Sequence, residues 1–429
     1  LNREYIYRRS SKAATYVFDL KTKKTTAIDN GADIMHASFS PDNSKVSFVK
    51  DNNLWYTDLS TGQEVQVTND GAANKIKNAW ADWVYEEEFG CRDGFRWSPD
   101  SKSIAYWQID ATQIKNFLMI NNTDSIYSFT VPVEYPKVGE DPSACKIGVV
   151  NIATAKTKWM NVPGSAVQNY IPRMEWSNKN EIIIQQLDRK QQVSKIMLLN
   201  AVSGLASLIN EEKDAAWIDI KSRWNNDDPT GWEWINEGKD FLWVSEKDGW
   251  RHIYSINLAT KKETLLTSGN YDMIGFGAID QANGYVYFTA SPNNALQQYL
   301  YRVSLKGDGK AELISPADLK GTHSYQISPT GVFTRHSFSN ISTMPTDEWV
   351  NLTNGTIIKA GTKRSAKENS NTKFIQITTE DAVTMDGWMV LPNNFDSTKK
   401  YPVVFYVYTE PGATTVSDTY GNAGFPFYM

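Results

Sequence analysis

Three consecutive carboxylates, Glu86, Glu87 and Glu88, end the stretch Trp80 to Gly90, Trp-Ala-Asp-Trp-Val-Tyr-Glu-Glu-Glu-Phe-Gly. On a helix at about 100° per residue, Trp80, Trp83 and Val84 form one apolar stripe. Glu87 falls in the centre of that stripe, and Glu88 lies beside it, four residues after Val84. On a strand, Glu87 and Glu88 would point to opposite faces. The helical reading is therefore the one that lets two carboxylates converge at an aromatic-lined wall. Asn78 supplies an N-cap and Gly90 a stop. Converging carboxylates repel unless a cation joins them: a metal, an Arg or Lys side chain, or the ammonium of a ligand. No His or Asp stands at metal-ligand spacing nearby, which disfavours the metal, and no cofactor is called for. The plain alternative is a charged helix end.

The rest of the chain must position this stretch. Its 429 residues are enough for two domains or one large repeat array. A net charge of −5 gives no basic footprint for nucleic acid or an anionic membrane. No run of 18 apolar residues occurs, and the opening Leu1-Asn2-Arg3 shows no charged start and apolar stretch, which fits a processed or trimmed protein as well as a cytosolic one. The two cysteines, Cys91 and Cys145, allow one disulfide or none. The four histidines, His36, His252, His323 and His336, are scattered and read as structural.

Repeats supply the scaffold. Phe39-Ser40-Pro41-Asp42 opens a set of turn-punctuated strands running to Thr68. Related starts recur at Trp97-Ser98-Pro99-Asp100, Trp176-Ser177-Asn178, Trp234-Ile235-Asn236, Ala278-Ile279-Asp280 and Ile327-Ser328-Pro329. Intervals of about 45 to 80 residues with several strands each predict propeller blades. The longest interval holds the acidic stretch and Val131-Pro132-Val133-Glu134-Tyr135-Pro136, both read as blade insertions reaching into the central cavity. A polar linker at Lys359 to Thr372 precedes a different pattern. Phe374-Ile375-Gln376-Ile377 opens it, and Gly387 to Pro392 and Tyr401 to Tyr408 read as apolar strands of an α/β sheet.

Asp82-Trp83-Val84-Tyr85-Glu86-Glu87-Glu88 resembles the double-glutamate motif of the dipeptidyl peptidase IV family, within the prolyl oligopeptidase clan of serine peptidases. The resemblance continues at Tyr135-Pro136-Lys137 and at Asp248-Gly249-Trp250-Arg251-His252-Ile253-Tyr254. It implies a mainly β fold. Residues 1–360 would form a β-propeller, eight-bladed in the family and incomplete here, 361–373 a linker, and 374–429 the truncated start of an α/β-hydrolase domain. It further implies that Glu87 and Glu88 hold the free amino terminus of a peptide substrate. Arg8, with Arg9 as runner-up, would join them and bind a substrate carbonyl, since a guanidinium beside two carboxylates offsets their repulsion. Tyr408 would donate to the oxyanion of acyl transfer. After this tyrosine the family has glycines and proline, whereas Thr409-Glu410-Pro411-Gly412 stands here.

The implied activity is that of a serine exopeptidase releasing N-terminal Xaa-Pro or Xaa-Ala dipeptides. No Gly-x-Ser-x-Gly elbow occurs, so the triad is expected beyond Met429 and this segment alone is expected to be inactive. Peptides with a free amino terminus are the expected partners, with a homodimer and a periplasmic or secreted location as further expectations and the cytosol as the alternative. A prolyl tripeptidyl aminopeptidase and a non-catalytic propeller module remain open. An oligopeptidase or acylaminoacyl peptidase would not need an ammonium clamp.

Overall fold

The computed structural model describes residues 3–72, 75–220, 232–361, 371–392, 394–407 and 415–421. The fold is mainly β, built largely from antiparallel meanders, in four of which strands adjacent in sequence are adjacent in space. The strands Asn169–Asn178, Glu181–Asp188, Val193–Asn200 and Ala206–Lys213 form the most regular of them. Glu233–Ile235, Asp240–Ser245, His252–Asn257 and Glu263–Leu265 repeat the pattern. So do Met273–Asp280 to Glu312–Leu313, and Thr322–Ile327 to Thr356–Lys359. These are the propeller blades the repeats predict.

The Ser-Pro-Asp starts are the corners between the first long strands of a blade. The Ser40 hydroxyl donates to Asp42 at 2.6 Å, and Ser98 donates to Asp100 at 2.7 Å. In each corner the serine oxygen also accepts from the backbone where the next strand begins, Lys45 in one and Ser103 in the other. A short side chain that ties its own turn is the reason Ser and Asp recur there.

The chain divides into two compact units, Leu1–Phe241 with Asn257–Lys262, and Leu242–Ile256 with Glu263–Met429. In the first unit, Arg3–Tyr5, Ser11–Ala14 and Asp33–Phe39 join Lys45–Lys50, Asn53–Asp58 and Glu64–Gln66 in a six-stranded sheet. The next sheet carries both insertions. The acidic stretch lies between Ile76–Asn78 and Phe95–Trp97, which both belong to it. A hairpin, Asn116–Asn121 with Phe129–Glu134, lies between its strands Ser103–Asp110 and Ala144–Asn151.

In the second unit, Thr372–Thr378 pairs with Thr384–Val390, placing Phe374 opposite Trp388. The run 401–407, expected as a strand buried in an α/β sheet, is not one. It has no ladder partner among the described residues, and Phe405 is 84% exposed. Apolarity favours burial, but a strand forms only where another backbone completes its hydrogen bonds. The linker residues 362–370 lie outside the described residues.

The histidines are held in the fold. In the second unit, His323 is fully buried and hydrogen-bonded to His336 at 2.8 Å, and His336 meets Glu348 at 2.9 Å. Burial pushes the His323 pKa down to about 4, and does the same to His36 in the first unit. Their folded pKa values lie below the unfolded value of 6.5, so the unfolded chain binds more protons between these limits. Stability is therefore fully present above about pH 6.5 and is lost as pH falls toward 4, by roughly 3 kcal/mol for His323 across that window. Urea unfolding at pH 7 and pH 4.5 is expected to show this, with a shallower dependence in His323→Gln.

Candidate active site

The acidic stretch forms a short helix, Trp83–Phe89. Asp82 caps it, its carboxylate accepting from the Tyr85 N–H at 2.9 Å, and Gly90 ends it in the left-handed conformation at φ 64°. The expected cap, Asn78, is engaged elsewhere. It sits in a strand opposite Gln108, and its amide donates to Asp70 at 2.8 Å. Trp80 lies outside the helix, in a bridge with Asp93. The helix therefore starts four residues later than a cap at Asn78 would give, and Tyr85, Glu86 and Phe89 are its buried residues.

Tyr85 and Phe89 hold the helix in place. Phe89 packs edge-on to Tyr170 at 4.8 Å, and the Tyr85 hydroxyl accepts from the Ile171 N–H at 3.1 Å. Burying each ring stabilises the helix by about 2 kcal/mol.

Glu86 faces the N-terminal segment. Its Oε1 accepts from the backbone N–H groups of Arg9 at 2.7 Å and Ser10 at 3.1 Å, and its Oε2 accepts from the Ser10 hydroxyl. The Ser10 carbonyl closes a turn by accepting from the Ile6 N–H at 2.9 Å and the Tyr7 N–H at 3.2 Å. Tyr7 stacks on Trp80, with centroids 6.0 Å apart. Arg8 stands at this turn and its guanidinium reaches Glu87 Oε1 at 2.9 Å. Glu87 is 25% exposed at its side chain and Arg8 74%, so the pair opens to solvent. Glu88 is exposed, one position further round the helix.

Aromatic residues flank the pair. Trp83, one helical turn before Glu87, packs on Tyr135 at 4.6 Å, and Tyr135 meets Phe117 at 5.9 Å. Tyr135 follows the hairpin strand ending in Glu134, whose carboxylate forms a buried ion pair with Lys77. Lys77 also lies over the Trp80 ring at 5.3 Å. Burial, with Asp82, Glu134 and Glu86 nearby, pushes the Tyr7 hydroxyl well above its ordinary pKa.

Cys91 and Cys145 are free, buried thiols. Cys91 donates to the Pro172 carbonyl at 3.0 Å, and burial pushes its pKa up to about 11. Burial raises that of Cys145 as well. At pH 7 neither presents a thiolate, so neither serves as a nucleophile.

Of the residues singled out from sequence, the structure brings Arg8 to Glu87 and leaves Glu88 beside them on the helix. Arg9 joins through its backbone to Glu86. Tyr408 lies outside the described residues. The residue missed was Glu86. Its signal was Asp82, an N-cap as good as Asn78, with Tyr85 and Phe89 one turn apart after it. With Trp80 off the helix, Tyr85 and Phe89 define the buried face, and Glu86 lies next to them. Among the described residues no helix is long and apolar enough to cross a membrane.

Comparison with known proteins agrees with this architecture. The chain is 26% identical to dipeptidyl peptidase 4 of Trichophyton rubrum, over 99% of this chain and 56% of that one. It is 24% identical to a probable dipeptidyl-aminopeptidase B of Arthroderma gypseum, over 96% of this chain and 48% of that one. It thus spans about half the length of these relatives. Among solved structures, Porphyromonas gingivalis dipeptidyl peptidase 4 superposes with a TM-score of 0.87 at 28% identity, covering 98% of this chain and 59% of that one. The family model for the dipeptidyl peptidase IV (DPP IV) N-terminal region matches residues 1–345, four-fifths of the sequence, and with it the chain belongs to the dipeptidyl peptidase IV family.

Proposed function

We propose that this chain is the substrate-recognition part of a serine exopeptidase that releases N-terminal dipeptides with proline or alanine second. The observation that carries the reading is the Arg8–Glu87 pair, set on a helix that opens with the motif Asp82 to Glu88. Glu87 and Glu88 bind the substrate ammonium, which is protonated below its pKa of about 8. A guanidinium has five N–H donors, so the bond to Glu87 leaves Arg8 donors for a substrate carbonyl. Anchoring the amine fixes its distance to the scissile bond and so counts residues. Tyr408 is the oxyanion donor in this reading, with residues 1–360 as propeller, 361–373 as linker and 374–429 as the start of the hydrolase domain. A periplasmic or secreted location and a homodimer belong to the same reading.

The test is hydrolysis, by a full-length peptidase carrying this chain, of peptides with proline at position two or three, with the amino terminus free or acetylated. Release of dipeptides from the free form alone is expected. Cleavage of the acetylated form at an equal rate would sink the clamp, and tripeptide products would move the assignment to a tripeptidyl enzyme.

A further inference from the structure

We propose that Glu86, together with Ser10, is a positioning residue that sets Arg8 against Glu87; the inference rests on the clamp reading above. Glu86 is 1% exposed, and the hydrogen bonds it accepts come from neutral groups: two successive backbone N–H groups and one hydroxyl. A carboxylate buried on neutral donors is an expensive way to hold a loop, because desolvating the charge is costly. Its placement explains the expense.

Two N–H groups converging on one oxygen fix the orientation of the peptide units that follow Arg8. The Ser10 carbonyl closes the turn on the other side. Arg8 therefore stands on a turn whose floor is Glu86, while the carboxylate it must meet is the next residue of the same helix. Floor and partner share one rigid element, so the guanidinium is registered against Glu87 without depending on any third segment. Arg8, with its side chain largely exposed, would otherwise sample many rotamers, and holding it in place lowers the entropy lost when a carbonyl binds.

The experiment measures binding of the tripeptide amide Ala-Pro-Ala, with the amino terminus free or acetylated, to the 429-residue chain by calorimetry. Variants are Glu86→Ala, Glu86→Gln, Ser10→Ala, Arg8→Ala and the double variant Arg8→Ala/Glu86→Ala. Glu86→Ala is expected to weaken binding of the free peptide about tenfold. Glu86→Gln keeps an oxygen for the two N–H groups and is expected to restore most of it. With Arg8 already removed, Glu86→Ala should cost nothing further. Equal losses with and without Arg8 would assign Glu86 to general folding and overturn the proposal. If Glu86→Ala does not fold, Ser10→Ala carries the same comparison. Crystal structures of the variants separate the two readings. If the wild-type chain fails to prefer the free amine, the clamp falls, and positioning is then decided by whether Arg8 leaves Glu87 when Glu86 or Ser10 is replaced. An unmoved Arg8 would overturn it.

Discussion

Glu87→Ala is expected to lower kcat/KM for a Gly-Pro chromogenic substrate by about 30- to 150-fold in a full-length peptidase carrying this chain. Removing one partner from a hydrogen-bonded charge pair costs about 2–3 kcal/mol at a site with partial solvent access. In the proposed clamp the variant loses the anion that would face the substrate ammonium, and it also leaves the Arg8 guanidinium beside the vacated position. The pH profile supplies a second, independent readout. A peptide α-amino group has a pKa of about 8, so binding that needs the ammonium weakens as pH rises through that value. The wild-type rate should fall above pH 8 for this reason, and the Glu87→Ala profile should be flatter there. An unchanged rate, or an unaltered alkaline limb, would remove Glu87 from the ammonium site.

The largest stability effect is expected at Lys77. Lys77 is 1% and Glu134 8% exposed, and the second carboxylate oxygen of Glu134 has no hydrogen-bond partner. Lys77→Ala would leave a buried carboxylate without its cation and is expected to cost about 3–5 kcal/mol. Replacing both, as Lys77→Met with Glu134→Leu, removes the charges together and should cost far less. Urea unfolding of the two variants checks this, and a double variant as damaged as the single one would mean that shape, not charge balance, governs the site. The pair also ties the base of the hairpin to the strand before the helix, so Lys77→Ala should disturb the Trp83–Tyr135 contact.

The blades were legible because their signals are local. A Ser-Pro-Asp corner ties itself within a few residues, and in the regular blades the strands pair with their sequence neighbours. The helix was legible as an element, since three aromatic residues and a terminal glycine declare it, but its start was not. Asn78 and Asp82 are both capping residues, and the choice fell to Asp82 once Asn78 was committed to a strand. The partnership of Glu86 with Ser10 spans 76 residues, and no periodicity encodes it. Arg8 was found through resemblance; its ion pair with Glu87 is equally remote in sequence. The run 401–407 shows the converse limit, where composition reports a wish for burial and pairing decides the outcome.

The location of both insertions within one early sheet sets a timetable for synthesis. Arg8, Glu86, Glu87, Glu88 and Tyr135 are all present once the last strand of that sheet, Lys156–Trp159, has been made. At about 5–20 residues per second, a ribosome takes roughly 8–30 seconds to pass from Arg8 to Trp159. The remaining 270 residues of the chain follow (429 less 159). The residues of the proposed clamp are thus made well before residues 374–429. A nascent chain arrested beyond Trp159 already carries every residue of the proposed clamp.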